Sequence, residues 1–228
     1  MPMTGLTLLL GVSNSGKSQL ILNLLKLHSK KFSAIFVFTG TKDVCADYQC
    51  LDQRIIHAVD ENLAEKIELI LSNAKRLKQQ GKSTLLILDD CITTKFANNQ
   101  LWDKIASMSR HSNICTLVSI QQQSKVSTVM KNNCVSLLIT KLSKQNLNSL
   151  YEYSIGFDDK ASFIDYVSKG QKGYIFILNR GDGYDSKPYG FYKYTIPAPK
   201  FKIELIPVSY ILLEYILLLL FHFLYELL

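Results

Sequence analysis

The chain has 228 residues, enough for one α/β domain with a buried core and too few for two full ones. Hydrophobic residues make up 47% and charged residues 20%, a balance that excludes a disordered chain. The net charge is +7, and all 26 Lys and Arg precede Ile203, so residues 1–202 set 26 positive side chains against 16 negative ones; this surplus fits a polyanionic partner such as nucleic acid, and also a Lys-rich solvated surface.

Leu6 to Leu10 reads as a first strand that enters the loop GVSNSGKS, followed by a helix from about Lys17 to Leu27. No basic region precedes this apolar run, so it does not have the form of a signal peptide. The loop matches G-x-x-x-x-G-K-[ST] in the strand-to-helix context that the motif requires. Gly11 and Gly16 give the backbone the close approaches that a Cβ would block, and Val12 and Ser13 complete the arch between them. The N–H groups of Asn14, Ser15, Gly16, Lys17 and Ser18 can then point at phosphate oxygens, beside the positive end of the helix dipole. Lys17 would meet the β and γ phosphates of ATP, and the Ser18 hydroxyl would ligate Mg²⁺.

Phe32 to Phe38 reads as a second strand, followed by a helix from about Glu61 to Lys78 that Gly81 ends. The run LLILDD then closes a very apolar strand, Thr84 to Leu88, with two acids. In a P-loop fold the first acid, Asp89, would hold the metal shell, and the second, Asp90, would orient the attacking water or take its proton. A kinase would use one acid and pass the phosphoryl group to a bound substrate, so the doublet favours hydrolysis.

A fourth strand, Ile114 to Ile120, ends in Gln121, at the sheet end where ligands bind, and an amide there can sense the γ-phosphate or the water. Arg110 lies just before that strand. With four Arg against 22 Lys, each Arg is a candidate for fork-like phosphate contact; Arg110 is the first choice for a finger acting on a neighbouring subunit and Arg180 the second. A fifth strand, Cys134 to Thr140, precedes helical patterns at Lys144 to Tyr153 and Asp159 to Lys169. Tyr174 to Leu178 and Tyr189 to Thr195 flank the turn-rich RGDGYDSKP, the pattern of a terminal β-hairpin. Five cysteines without CxxC spacing point to reduced thiols in an intracellular compartment.

The segment 203–228 contains no Lys or Arg, and as a helix its last 21 residues would span about 31 Å, close to a bilayer's apolar thickness. Glu214 would lie well inside such a span, and Glu214, Leu218, His222 and Glu226 recur every four residues along one side. Two readings of this tail therefore stand side by side, a membrane anchor and a buried oligomerisation helix, with residues 1–202 as the ATPase domain.

GVSNSGKS, LLILDD, SRHSNICTLVSIQQQSKVSTVMKNN and SLLITKLSKQNLNSLYEYS together resemble the genome-packaging ATPases of poxviruses, giant viruses and related virus-like transposons, in the FtsK/HerA lineage, over roughly residues 4 to 196. The resemblance implies an α/β P-loop NTPase fold of the additional-strand, RecA/FtsK-like type: a parallel sheet flanked by helices, with the Gln-bearing strand between the strands of the phosphate loop and the acidic doublet. It implies a ring-shaped homo-oligomer that hydrolyses ATP to drive double-stranded DNA into a capsid, in contact with a capsid or portal protein, at a virus assembly site in the host cytoplasm or nucleus or in the virion. By motif position it assigns Lys17 and Ser18 to phosphate and Mg²⁺, Asp89 and Asp90 to the acidic pair, Gln121 to sensing and Arg110 to the trans-acting finger. The chain departs from the family where Ser109 replaces the Gly common ahead of that Arg, and in its apolar tail. Two other readings remain: a P-loop kinase, and a membrane-associated nucleotide-binding assembly protein.

Overall fold

The computed structural model describes residues 4–40, 48, 51–91, 99–122, 124, 126–153, 157–170, 173–179, 189–194, 196 and 198. Eight strands form one sheet: β1 (Gly5–Leu10), β2 (Ala34–Thr39), β3 (Ile56–Ala58), β4 (Thr84–Asp89), β5 (Ile114–Ile120), β6 (Cys134–Ile139), β7 (Tyr174–Asn179) and β8 (Tyr189–Lys193). Their spatial order is β3-β2-β4-β5-β1-β6-β7-β8. The six strands from β3 to β6 run parallel, and β7 and β8 add on antiparallel. β5 lies between β1 and β4, the insertion that the sequence resemblance implies.

The helices are α1 (Lys17–His28), α2 (Leu63–Gln79), α3 (Asn99–His111), α4 (Thr128–Asn133), α5 (Lys144–Asn148) and α6 (Lys160–Ser168). Strand alternation divides the apolar side chains between two layers. Leu6, Leu8 and Leu10 of β1 join the layer carrying α2 to α6, whereas Leu9 joins Ile21 and Leu25 of α1 on the other face. Every residue of β1, β4, β5 and β6 is buried, as expected of strands covered on both faces.

The elements expected from the sequence are present with shifted ends. β2 starts at Ala34 because Phe32 closes a 3₁₀ turn, its N–H bonding Ser29 O at 3.0 Å. The helical pattern from Lys144 to Tyr153 breaks into α5 and a 3₁₀ turn at Tyr151–Tyr153, where the Ser149 hydroxyl takes the Asn146 carbonyl at 3.1 Å and competes with continued helix. α3, α4 and the short edge strand β3 are additions. α3 buries Trp102 and Ile105 against the sheet. β7 and β8 form the expected antiparallel pair, but Arg180 and the turn between them lie outside the described residues, as does the whole tail 203–228. Among the described residues no helix is long and apolar enough to cross a membrane.

Candidate functional site

Parallel strands deliver their carboxyl ends to one edge of the sheet, and the loop, the acid pair and Gln121 all leave the strands there. The loop is pinned between its neighbours: Gly11 N–H bonds Ile120 O at 3.2 Å, and Val12 N–H bonds Lys141 O at 3.0 Å. A Cβ on Gly11 would stand 2.0 Å from Thr140 Oγ1 and 2.5 Å from Ser15 Oγ, so only glycine fits. Gly16 has φ +91°, and Asn14 takes the left-handed region at φ 57°, which Asn tolerates better than most residues. α1 begins without a side-chain cap and without an acid in its first turn, which leaves its amino end to an anion.

Lys17 is only 6% exposed and folds over the loop, where its Nζ donates to Gly11 O at 2.9 Å and Val12 O at 3.0 Å. Desolvation lowers its pKa, and the nearby Asp90 and Asp89 carboxylates act in the opposite direction. Its charge is therefore held close to both acids.

Asp89 ends β4 on the α1 face. Its Oδ2 accepts hydrogen bonds from Ser18 Oγ at 3.2 Å and from the hydroxyl of Tyr48 at 2.7 Å. Asp90 leaves the strand with φ 55°, its N–H bonds Ser119 O at 3.2 Å, and its Oδ2 accepts from Gln121 Nε2 at 2.5 Å. The backbone carries Asp90 past Gly40, where a Cβ would approach the Asp90 carbonyl to 2.3 Å. Two successive acids thus turn to different partners: Asp89 to the loop helix, Asp90 to the end of β5.

The residues fit Mg²⁺. Ser18 and Asp89 offer hard oxygen donors, and among the described residues no cluster of three or more His, Cys, Asp or Glu side chains could enclose a metal alone. Such a sparse set suits a cation that takes its remaining ligands from phosphates and water. Ser119, the register partner of Asp89, also has a buried hydroxyl with no hydrogen-bond partner among the described residues.

Three contributors were missed by sequence reading. Thr140, directly after β6, donates to Leu10 O at 3.3 Å and shares a 2.7 Å hydrogen bond with Ser15 Oγ; its place at the carboxyl end of a strand was a usable signal. Tyr194 follows β8 and donates from its hydroxyl to Ser15 O at 3.3 Å, next to the spot where a Gly16 Cβ would clash. Tyr48 lies in a polar stretch without periodicity and gave no signal.

Arg110 lies elsewhere. It is exposed at the end of α3, beside the starts of β4 and β5, where Lys78 Nζ bonds His111 O at 2.8 Å and Asn113 Nδ2 bonds Lys82 O at 2.8 Å. A strand length of about 20 Å separates that edge from the chain's own loop, beyond the reach of an Arg side chain. Ser109, where the resembling proteins often have Gly, is buried and shares a 2.7 Å hydrogen bond with Thr116 Oγ1, so its hydroxyl is satisfied against β5.

The family model for the poxvirus A32 protein matches residues 5–178. The chain belongs to that family. As a member of the poxvirus A32 protein family it is a P-loop ATPase. No curated protein matches the chain at a significant level. The fold is similar to the genome packaging NTPase B204 from Sulfolobus turreted icosahedral virus 2 in complex with ATP-gammaS: TM-score 0.58, 17% identity, covering 85% of this chain and 99% of that one. EssC (ATPases 2 and 3) from Geobacillus thermodenitrificans gives TM-score 0.58 at 13% identity, covering 86% of this chain and 40% of that one. The cytoplasmic domain of the Thermomonospora curvata type VII secretion ATPase EccC gives 0.52 at 14%, covering 83% and 25%. At these identities the likeness concerns the fold.

Proposed function

We propose that this A32-family ATPase is a motor that couples ATP hydrolysis to the movement of double-stranded DNA, and that it packages a viral genome into a capsid at an intracellular assembly site. The observation that carries the reading is the meeting of Lys17, Ser18, Asp89 and Asp90 at one sheet edge, with Gln121 bonded to Asp90. The match to the A32 family and the shared fold with a viral packaging NTPase support the genome as cargo. The basic surplus of residues 1–202 supplies the nonspecific phosphate attraction that a sliding motor needs. A ring of identical subunits, docked on a capsid or portal protein, completes the proposal.

In this mechanism the amides of Asn14 to Ser18 and the amino end of α1 cradle the phosphates, and Lys17 exchanges its two loop carbonyls for phosphate oxygens. Ser18 and Asp89 would hold Mg²⁺, which would supply charge neutralisation for the phosphates. Asp90 orients the attacking water and accepts its proton. Gln121 holds the Asp90 carboxylate, so a change at the γ-phosphate reaches β5 through one hydrogen bond.

The test is the ATPase rate of the purified protein with and without duplex DNA. Turnover should rise when DNA is added, and the stimulation should fall steeply with salt as counterion release is suppressed. A rate indifferent to DNA, with phosphate passed to a small-molecule acceptor, would assign the site to a kinase instead.

A further inference from the structure

Tyr48 is 0% exposed and packs in the α1-side core with Leu51 and Ile55. Burial of a phenol is costly unless its hydroxyl finds a partner, and the partner here is an acid of the site. The 2.7 Å bond to Asp89 Oδ2 is the shorter of two that this oxygen accepts, the Ser18 hydroxyl lying at 3.2 Å. These two donors are not equivalent. Ser18 is also the residue that the loop motif presents to the cation, so its bond to Asp89 competes with that duty. Tyr48 has no such second duty in the motif, and it reaches the carboxylate from the connection between β2 and β3, outside the phosphate loop.

We propose that Tyr48 is a positioning residue for the cation site: its hydroxyl fixes the Asp89 carboxylate when Ser18 turns to the metal, so that Mg²⁺ affinity depends on Tyr48 while the grip on bare nucleotide does not. The proposal deepens the mechanism proposed above and rests on its placing of Mg²⁺ at Ser18 and Asp89. Asp89 is held from the core side by a donor that no motif encodes.

The experiment measures binding of a fluorescent ATP analogue to the full chain, first in EDTA and then along a Mg²⁺ titration, for the wild type, Tyr48→Phe, Asp89→Asn and the double variant. Tyr48→Phe removes one oxygen and keeps the ring. Its affinity in EDTA should stay within about twofold of the wild type, while the Mg²⁺ midpoint should rise about tenfold, the size expected for one lost hydrogen bond to a charged group. The double variant should be no worse than Asp89→Asn alone, because Tyr48 acts on Mg²⁺ only through the Asp89 carboxylate, whose charge is already gone. A Tyr48→Phe protein that loses EDTA binding would make Tyr48 a packing residue and overturn the proposal. So would an unshifted Mg²⁺ midpoint, or additive losses in the double variant. A wild type whose binding and turnover ignore Mg²⁺ would sink the assignment of the cation to Ser18 and Asp89, a failure visible before any variant is made.

Discussion

Asp89 and Asp90 are neighbours in sequence with the same side chain, yet the backbone gives them separate work. Asp89 still obeys strand alternation and faces α1, whereas Asp90, at φ 55°, has left the strand and meets Gln121. Removing the Asp90 charge should therefore spare the phosphate cradle. For Asp90→Asn we expect nucleotide affinity within about threefold of the wild type and a kcat lower by about 10² to 10⁴, the usual range for loss of a general base. Equilibrium binding and steady-state turnover on one preparation decide it; parallel losses in both would make Asp90 a metal ligand or a structural residue. The doublet and the loop were legible because their chemistry is confined to short strings, GVSNSGKS and LLILDD. Tyr48 was not, because what matters about it is a contact across 41 residues of sequence, with no local pattern to mark it.

Among the elements, β5 matters most, because its insertion between β1 and β4 brings Gln121 beside the acids. Its position could not be read from apolar periodicity, which gives the existence of a strand and not its neighbours; the family resemblance supplied it. β6 makes a quieter contribution at the other side of the loop. Thr140, just past its end, spans from Leu10 O to Ser15 Oγ and so braces the loop at both ends of its arch. Thr140→Val keeps the bulk that confronts Gly11 and removes both hydrogen bonds. We expect a loss of about 1 kcal/mol in stability and about fivefold in ATP affinity, measured by thermal melting with and without nucleotide. An affinity equal to the wild type would show that the loop holds its shape through backbone bonds alone. α4 escaped the sequence reading because it has only six residues and one buried apolar side chain, Met130, and its start rests on a local cap, Met130 N–H to Ser127 Oγ at 3.1 Å, whereas α3 carries Leu101, Trp102, Ile105 and Ala106 at helical spacing, a signal that was usable.

At the scale of the whole molecule, the sheet puts Arg110 and the phosphate loop at opposite edges. The parallel register leaves no ambiguity, since Gly5 pairs with Cys115 at one end and Leu10 with Ile120 at the other. Within one chain Arg110 cannot touch its own nucleotide, so a catalytic role requires a neighbouring subunit to present it. That requirement gives a test with a definite sign. Arg110→Ala and Asp90→Asn subunits should each turn over ATP poorly alone. In a mixed ring, an Arg110→Ala subunit retains its acid and can receive the arginine of an Asp90→Asn neighbour, so mixing should restore part of the activity, with a maximum at intermediate ratios. The inverse mixture, wild type with the doubly substituted chain, should show no such maximum. Absence of rescue at every ratio, with ring assembly verified by light scattering, would leave Arg110 a surface residue at a helix end and shift the search for a trans-acting cation to Arg180.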